Sequence, residues 1–242
     1  MELVDDASAL CWLSENKALP DGPIQATRAN MMQTILVATT NPGKVRELRV
    51  MLGGEVQWKS LADFPGVGEV KEDGATFAEN ARKKATGYAE ATGLWTLADD
   101  SGLVVDALGG APGVNSARFS GERPKAADRK LLDRRNMEKV LSLLQGVPAE
   151  KRAARFVCCL CLASPEKILI ETQGTLEGVI ADKPAGTGGF GYDPVFYVPQ
   201  LGKTVAQLGE AEKNAISHRG NALRKLRPLL DQLLSGREDR RA

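Results

Sequence analysis

The chain has 242 residues, with 32 Lys and Arg against 31 Asp and Glu, a formal net charge of +1 and 43% hydrophobic residues. Near-neutral charge excludes a general nucleic-acid coater, which needs a basic surface to displace counterions, and no apolar run approaches the roughly 20 residues that span a bilayer. The opening residues Met1-Glu2-Leu3-Val4-Asp5-Asp6 are acidic where a secretory signal is basic, which leaves a cytoplasmic enzyme or binding protein as the expectation.

Residues 1–31 carry five acids and two bases and are broken by Pro20-Asp21-Gly22-Pro23. With no core-forming pattern they read as a mobile N-terminal extension, and residues 32–242 as the domain. The extension's charge of −3 leaves +4 on residues 32–242, a surplus that suits a polyanionic ligand. Residues 35–38 form a short apolar strand, interrupted by Thr39-Thr40-Asn41-Pro42-Gly43. Val45, Leu48, Met51 and Leu52 then follow helical spacing up to Gly53-Gly54. Thr76 and Glu79 have capping-box spacing before a helix that keeps Phe77, Ala81, Ala85 and Tyr88 on one side and stops at Gly93. Residues 94–98 read as a strand running into Asp99-Asp100-Ser101-Gly102, and 103–107 as another.

Residues 124–145 are mostly helical in pattern, and 154–163, 168–173 and 176–180 are strand candidates separated by Gly or Pro. The first of these holds Cys158, Cys159 and Cys161. Neighbours in a strand point to opposite faces, and no Cys-x-x-Cys pair accompanies them, so reduced, buried thiols are expected. A glycine-rich loop over 185–194 leads into a strand over 195–198. Leu223, Leu226, Leu230, Leu233 and Leu234 signal a last helix that Pro228 should kink or begin. The tail 237–241 reads as solvated. Interleaved strands and helices give an α/β class with at least one parallel crossover.

Four places offer chemistry. Thr39-Thr40-Asn41-Pro42-Gly43-Lys44 joins a strand to a helix start, where free N–H groups, the helix dipole and Lys44 attract an anion. It is not a P-loop, because Ala38 replaces the first glycine and Val45 the magnesium-binding hydroxyl. It fits a phosphate cradle and an ordinary loop equally. Asp99-Asp100 at the end of an apolar strand can serve a hard cation such as Mg²⁺, with Glu69, Glu72 and Asp73 nearby in sequence, or one acid can cap a turn while the other faces water. In Gly188-Gly189-Phe190-Gly191-Tyr192-Asp193, Phe190 or Tyr192 can stack on a base and Asp193 can accept from a ring N–H, or both rings can be core. Lys213 with Ser217-His218-Arg219 concentrates donors for an oxygen-rich ligand.

These segments, with Phe77-Ala78-Glu79-Asn80, Gly109-Gly110-Ala111-Pro112-Gly113 and Ser116-Ala117-Arg118-Phe119-Ser120-Gly121, occur in the order of the inosine triphosphate pyrophosphatase (Ham1-like) family, which the chain resembles from about residue 33 to 234. The bacterial branch is the most similar. The resemblance implies an elongated single α/β domain with a long central mixed sheet, two lobes and a nucleotide-binding cleft between them, assembled as a homodimer. It implies hydrolysis of ITP, dITP and XTP to the monophosphate and pyrophosphate. Thr39, Thr40, Asn41, Pro42, Gly43 and Lys44 would hold the phosphates. Asp100 would be the general base and, with Glu72, a ligand of the cofactor Mg²⁺. Ser101 would touch the substrate, and Phe190, Gly191, Tyr192, Asp193, Lys213, His218 and Arg219 would form the base pocket. Thr40 departs from the small residue common there. Neither nucleic acid nor membrane is an expected partner. A binding module without turnover, or a pyrophosphatase for other nucleotides, are the competing readings.

Overall fold

Parallel pairing begins the sheet and antiparallel pairing completes it. The computed structural model describes residues 32–39, 42–53, 56–121 and 129–238, without the side chains of 42–44, 46, 47, 237 and 238. The extension over 1–31, Thr40, Asn41, the Lys44 side chain, residues 124–128 and most of the tail lie outside the described residues. In chain order the elements are β1 (Gln33–Val37), α1 (Pro42–Leu52), β2 (Val56–Ser60), α2 (Phe77–Thr92), β3 (Trp95–Val105), α3 (Arg129–Leu143), β4 (Ala153–Ala163), β5 (Ile168–Ile180), β6 (Phe196–Val198), β7 (Lys203–Thr204), α4 (Glu210–Ile216) and α5 (His218–Glu238).

The strands form one mixed sheet of seven in the order β2-β1-β3-β4-β5-β6-β7. β1 pairs in parallel with β2 and β3, and every later pairing is antiparallel. Strand alternation sorts the core. Ile35, Val37, Leu97, Cys158, Leu160 and Leu162 join Val45 and Leu48 of α1 and Leu223, Leu226 and Leu230 of α5 on one face. Leu36, Ala38, Ala98, Val157, Cys159 and Cys161 meet Ala81, Ala85, Tyr88 and Ala89 of α2 on the other. A third cluster joins Leu103, Val105, Phe156 and Ile180 to Val140 of α3, Leu144 and Phe196. Among the described residues, no helix is long and apolar enough to cross a membrane.

The three cysteines of β4 are buried and outside any disulfide, and burial pushes the Cys159 thiol up to about 11 and that of Cys161 to about 12. Thr76 caps α2 by accepting the Glu79 N–H at 3.1 Å. Glu79 reaches back one residue further than a capping box requires, accepting from the Ala75 N–H at 2.7 Å. Gly93 closes the helix in the left-handed conformation.

Several boundaries differ from the sequence pattern. The two strands expected around residues 94–107 are one 11-residue strand, β3, which places Asp99-Asp100-Ser101 inside a ladder rather than in a turn. The two expected around 168–180 are likewise one, β5, continuous through Gly174. Gly174 is there for closeness: a Cβ would strike the His218 carbonyl and the Ala222 N–H and lie 2.9 Å from the Asn221 Cβ. Pro228 neither starts nor ends α5, which begins ten residues earlier. It lies on the helix's exposed side, where water can satisfy the carbonyl that a proline leaves without a helical donor. β2, β7 and α4 had no clear sequence signal.

Gly174→Ala therefore forces the start of α5 off the sheet. Urea unfolding of this variant is expected to show a loss of about 1–3 kcal/mol; an unchanged midpoint and slope would remove this reading of Gly174.

Candidate active site

The parallel part of the sheet creates the place where a ligand can sit. β1 lies between β2 and β3, and the helices after it pack on opposite faces, α1 with the α5 core and α2 with its own. Such a reversal opens a crevice at the carboxyl ends of the strands. Thr39 lies at that end of β1, beside β3, where the Ala38 N–H reaches the Leu97 carbonyl at 2.9 Å. α1 starts at Pro42, so Gly43 and Lys44 belong to its first turn, whose N–H groups have no intrahelical acceptors. Val37 pairs with Leu97 as the last β1–β3 register step. Asp99, Asp100 and Ser101 follow immediately beyond it.

Alternation sends the two aspartates to opposite faces. Asp100 points toward α2, where Asn80 Nδ2 donates to it at 3.1 Å and the Lys84 ammonium lies 3.8 Å away. Lys84 also pairs with Glu72 at 3.2 Å and donates to the Asp99 carbonyl at 2.6 Å. Burial pushes Asp100 up to about 6, opposed by Lys84 and the Asn80 hydrogen bond and reinforced by Glu72 and Asp99. Burial works against the Lys84 charge, yet Asp99, Asp100 and Glu72 together hold it above the usual lysine value. Asp99 points toward α5, where it is buried and meets Arg219 Nη2 at 3.3 Å and the Ser101 hydroxyl at 3.3 Å.

Glu72 and Asp100 thus face one another across a single ammonium. Among the described residues, no group of three or more His, Cys, Asp or Glu side chains is arranged to hold a metal. Two carboxylates near the carboxyl end of β1 still fit Mg²⁺, which takes one or two protein carboxylates and completes its shell with other oxygens and water. Asp73, the neighbour of Glu72, is held instead by Lys71 at 2.8 Å and Lys83 at 2.5 Å.

The glycine-rich loop and the α4–α5 turn meet. Lys213 pairs with Asp193 at 2.7 Å and stands 4.7 Å over the Phe190 ring. Asp193, buried, also accepts the Phe190 N–H at 2.9 Å. Gly189 has φ +73°, and a Cβ there would collide with the Asp193 carboxylate. Ser217 separates the two helices and caps α5, its hydroxyl accepting the Gly220 N–H at 3.0 Å. Lys213 is thereby delivered to the loop and Arg219 to β3. The His218 ring stacks on Phe156 at 4.9 Å. Tyr192 takes the core role open to it from the sequence: it is 5% exposed, its phenol donates to the Ser116 carbonyl at 2.9 Å, and burial raises its pKa. Phe190, by contrast, is 48% exposed.

Asn80 and Lys84 had no assigned role from sequence, and Arg219, expected in the base pocket, is paired with Asp99. A signal for the first two was present, since both fall on the helical side that carries Ala81, Ala85 and Tyr88 and are buried with it. A buried lysine on such a stripe needs partners.

The Ham1 family profile matches residues 35–229. A dITP/XTP pyrophosphatase of Geobacillus kaustophilus is 49% identical over 207 residues, covering 85% of this chain and 98% of its own. One of Desulforamulus reducens is 52% identical over 200 residues, covering 82% and 96%. The structure of a HAM1 protein from Coxiella burnetii matches with a TM-score of 0.76 at 40% identity, covering 83% of this chain and 100% of that one.

Asp100 makes the fold sensitive to pH. Its folded value of about 6 lies above the 3.8 of an ordinary aspartate, so the protonated form is favoured in the native state. That contribution is complete below pH 3.8 and disappears as pH rises through 6. Relative to wild type, Asp100→Asn should gain about 2–3 kcal/mol of unfolding free energy between pH 3.5 and 7.5, measured with chelator present. A pH-independent difference would show that the charge is not buried at a cost.

Proposed function

Because the chain belongs to the Ham1 family, we propose that it hydrolyses the non-standard purine nucleoside triphosphates dITP, XTP and ITP to a monophosphate and pyrophosphate. The observation that carries the reading is Asp100, a desolvated carboxylate pushed up to about 6, at the strand end where phosphates would lie. A general base works best with a pKa near the operating pH.

The substrate's phosphates would be held by Thr39, Thr40, Asn41 and the first turn of α1, with the charge of Lys44 and the helix-start N–H groups to bind them. Asp100 takes the proton of a water that attacks the α-phosphorus, and the negative charge on departing pyrophosphate is met by Lys44 and the N–H groups. Lys84 fixes Glu72 and Asp100 relative to β3 through its contacts with both and with the Asp99 carbonyl. Asp100 and Glu72 would hold Mg²⁺, which when bound neutralises phosphate charge. The base stacks on the exposed Phe190 ring. Lys213 directs one donor to Asp193 and keeps others for the substrate. Together with His218 and Arg219 it favours the 6-oxygen of hypoxanthine and xanthine. An adenine amino group would leave these donors unpaired, and sites built on hydrogen bonds reject such analogues strongly. A penalty on the 2-amino group completes the discrimination against guanine. In this reading residues 32–242 are the catalytic domain, and the protein acts as a cytoplasmic homodimer.

Incubation with Mg²⁺ and a panel of ITP, dITP, XTP, GTP, ATP and dUTP should give IMP and pyrophosphate from ITP, with much slower turnover of GTP and ATP. Orthophosphate and IDP as products would overturn the mechanism, and equal rates across the panel the substrate class. Asp100→Asn should lower kcat by about 100-fold or more while calorimetry still registers ITP binding. Near-normal turnover would remove Asp100 as the base.

A further inference from the structure

Asp133 lies on α3, outside every motif given a role above, yet it reaches 58 positions along the chain to the glycine-rich loop. Its Oδ2 accepts the Gly191 N–H at 3.1 Å. The side chain is 18% exposed, and its other oxygen lies 3.6 Å from Arg129 Nε, one helical turn earlier. Gly191 adopts φ +62°. The preceding N–H, that of Phe190, is accepted by Asp193 at 2.9 Å. Two consecutive peptide N–H groups are therefore each bound by a carboxylate, one within the loop and one from α3. Between them they fix the peptide planes on both sides of Phe190, and with them the direction in which its exposed ring projects.

α3 is itself held firmly. Leu132 and Val140 are buried. Asn136, 2% exposed, accepts the Ser120 N–H at 2.7 Å and donates to the Ala117 carbonyl at 3.2 Å. Tyr192, directly after Gly191, is tied to the same 116–121 stretch through Ser116. An exposed loop N–H could be satisfied by water at little cost. Using a carboxylate from a separate, anchored helix removes freedom that a stacking ligand would otherwise have to remove on binding.

We infer that Asp133 is a positioning residue for recognition of the substrate's base: it holds Gly191 so that the Phe190 ring is set for stacking before a purine arrives. This rests on the reading of Phe190 as the stacking surface. It predicts a binding effect confined to the base end of the ligand.

The test compares wild type, Asp133→Ala and Asp133→Asn in ITP hydrolysis, thermal midpoint, and calorimetric binding of IMP and of inorganic pyrophosphate. Asp133→Ala should raise the KM for ITP and weaken IMP about tenfold, with kcat within about twofold and pyrophosphate binding unchanged. Asp133→Asn keeps an acceptor oxygen and should restore most of the loss. A wild-type KM in Asp133→Ala, equal weakening of IMP and pyrophosphate, or an Asn variant no better than Ala would overturn the inference. Wild-type protein that neither turns over ITP nor binds IMP would instead remove the functional reading beneath it, and the inference with it.

Discussion

The site depends on one constraint: β3 carries two adjacent carboxylates through a sheet that is covered on both faces. Alternation does not allow them to share a partner. Asp99 is directed at α5 and Asp100 at α2, and each meets a cation there, Arg219 and Lys84. Removing one member of the Asp99–Arg219 pair leaves a buried charge without compensation, which is expensive. α5 is therefore bound to the sheet by electrostatics as well as by the apolar contacts of its leucines. Lys84 sharpens this, because it touches the backbone of one aspartate and the side chain of the other.

That arrangement leaves Asp100 poorly compensated. Lys84 divides its charge among Asp99, Asp100 and Glu72, and burial outweighs what remains, so the carboxyl stays near neutrality in its protonation preference. A base that is reluctant to be charged is also one ready to take a proton. The same desolvation that weakens the fold above pH 6 thus equips the residue for its proposed role.

The proposed base recognition uses a second set of supports, centred on the glycine-rich loop. Lys213, Asp193 and Phe190 form one unit, and α3 braces it from behind through Asp133. The α4–α5 turn at Ser217 links the two sets, sending Lys213 to the loop and Arg219 to Asp99. Gly174 makes the link possible, since only a residue without a Cβ lets the start of α5 lie against β5. Fold and site meet in these few close approaches.

The sequence by itself determined the features governed by short-range rules. Thr76 and Gly93 mark the ends of α2 because caps depend on the backbone within one turn. The thiols of β4 face opposite ways because strands alternate. The ordered motifs identify the family because each is contiguous. Tertiary structure decided what each face of those elements meets. Nothing local distinguishes a strand that stops at Asp99 or at Gly174 from one that continues, because continuity depends on β4 lying alongside as partner. Tyr192 and Phe190 are two residues apart in one loop, yet one is core and the other open, according to whether a distant carbonyl, that of Ser116, is within reach. Asp99 and Arg219 are 120 positions apart, and Asp133 and Gly191 are 58 apart. Desolvation makes each of these contacts matter, and desolvation exists only once the sheet has been covered.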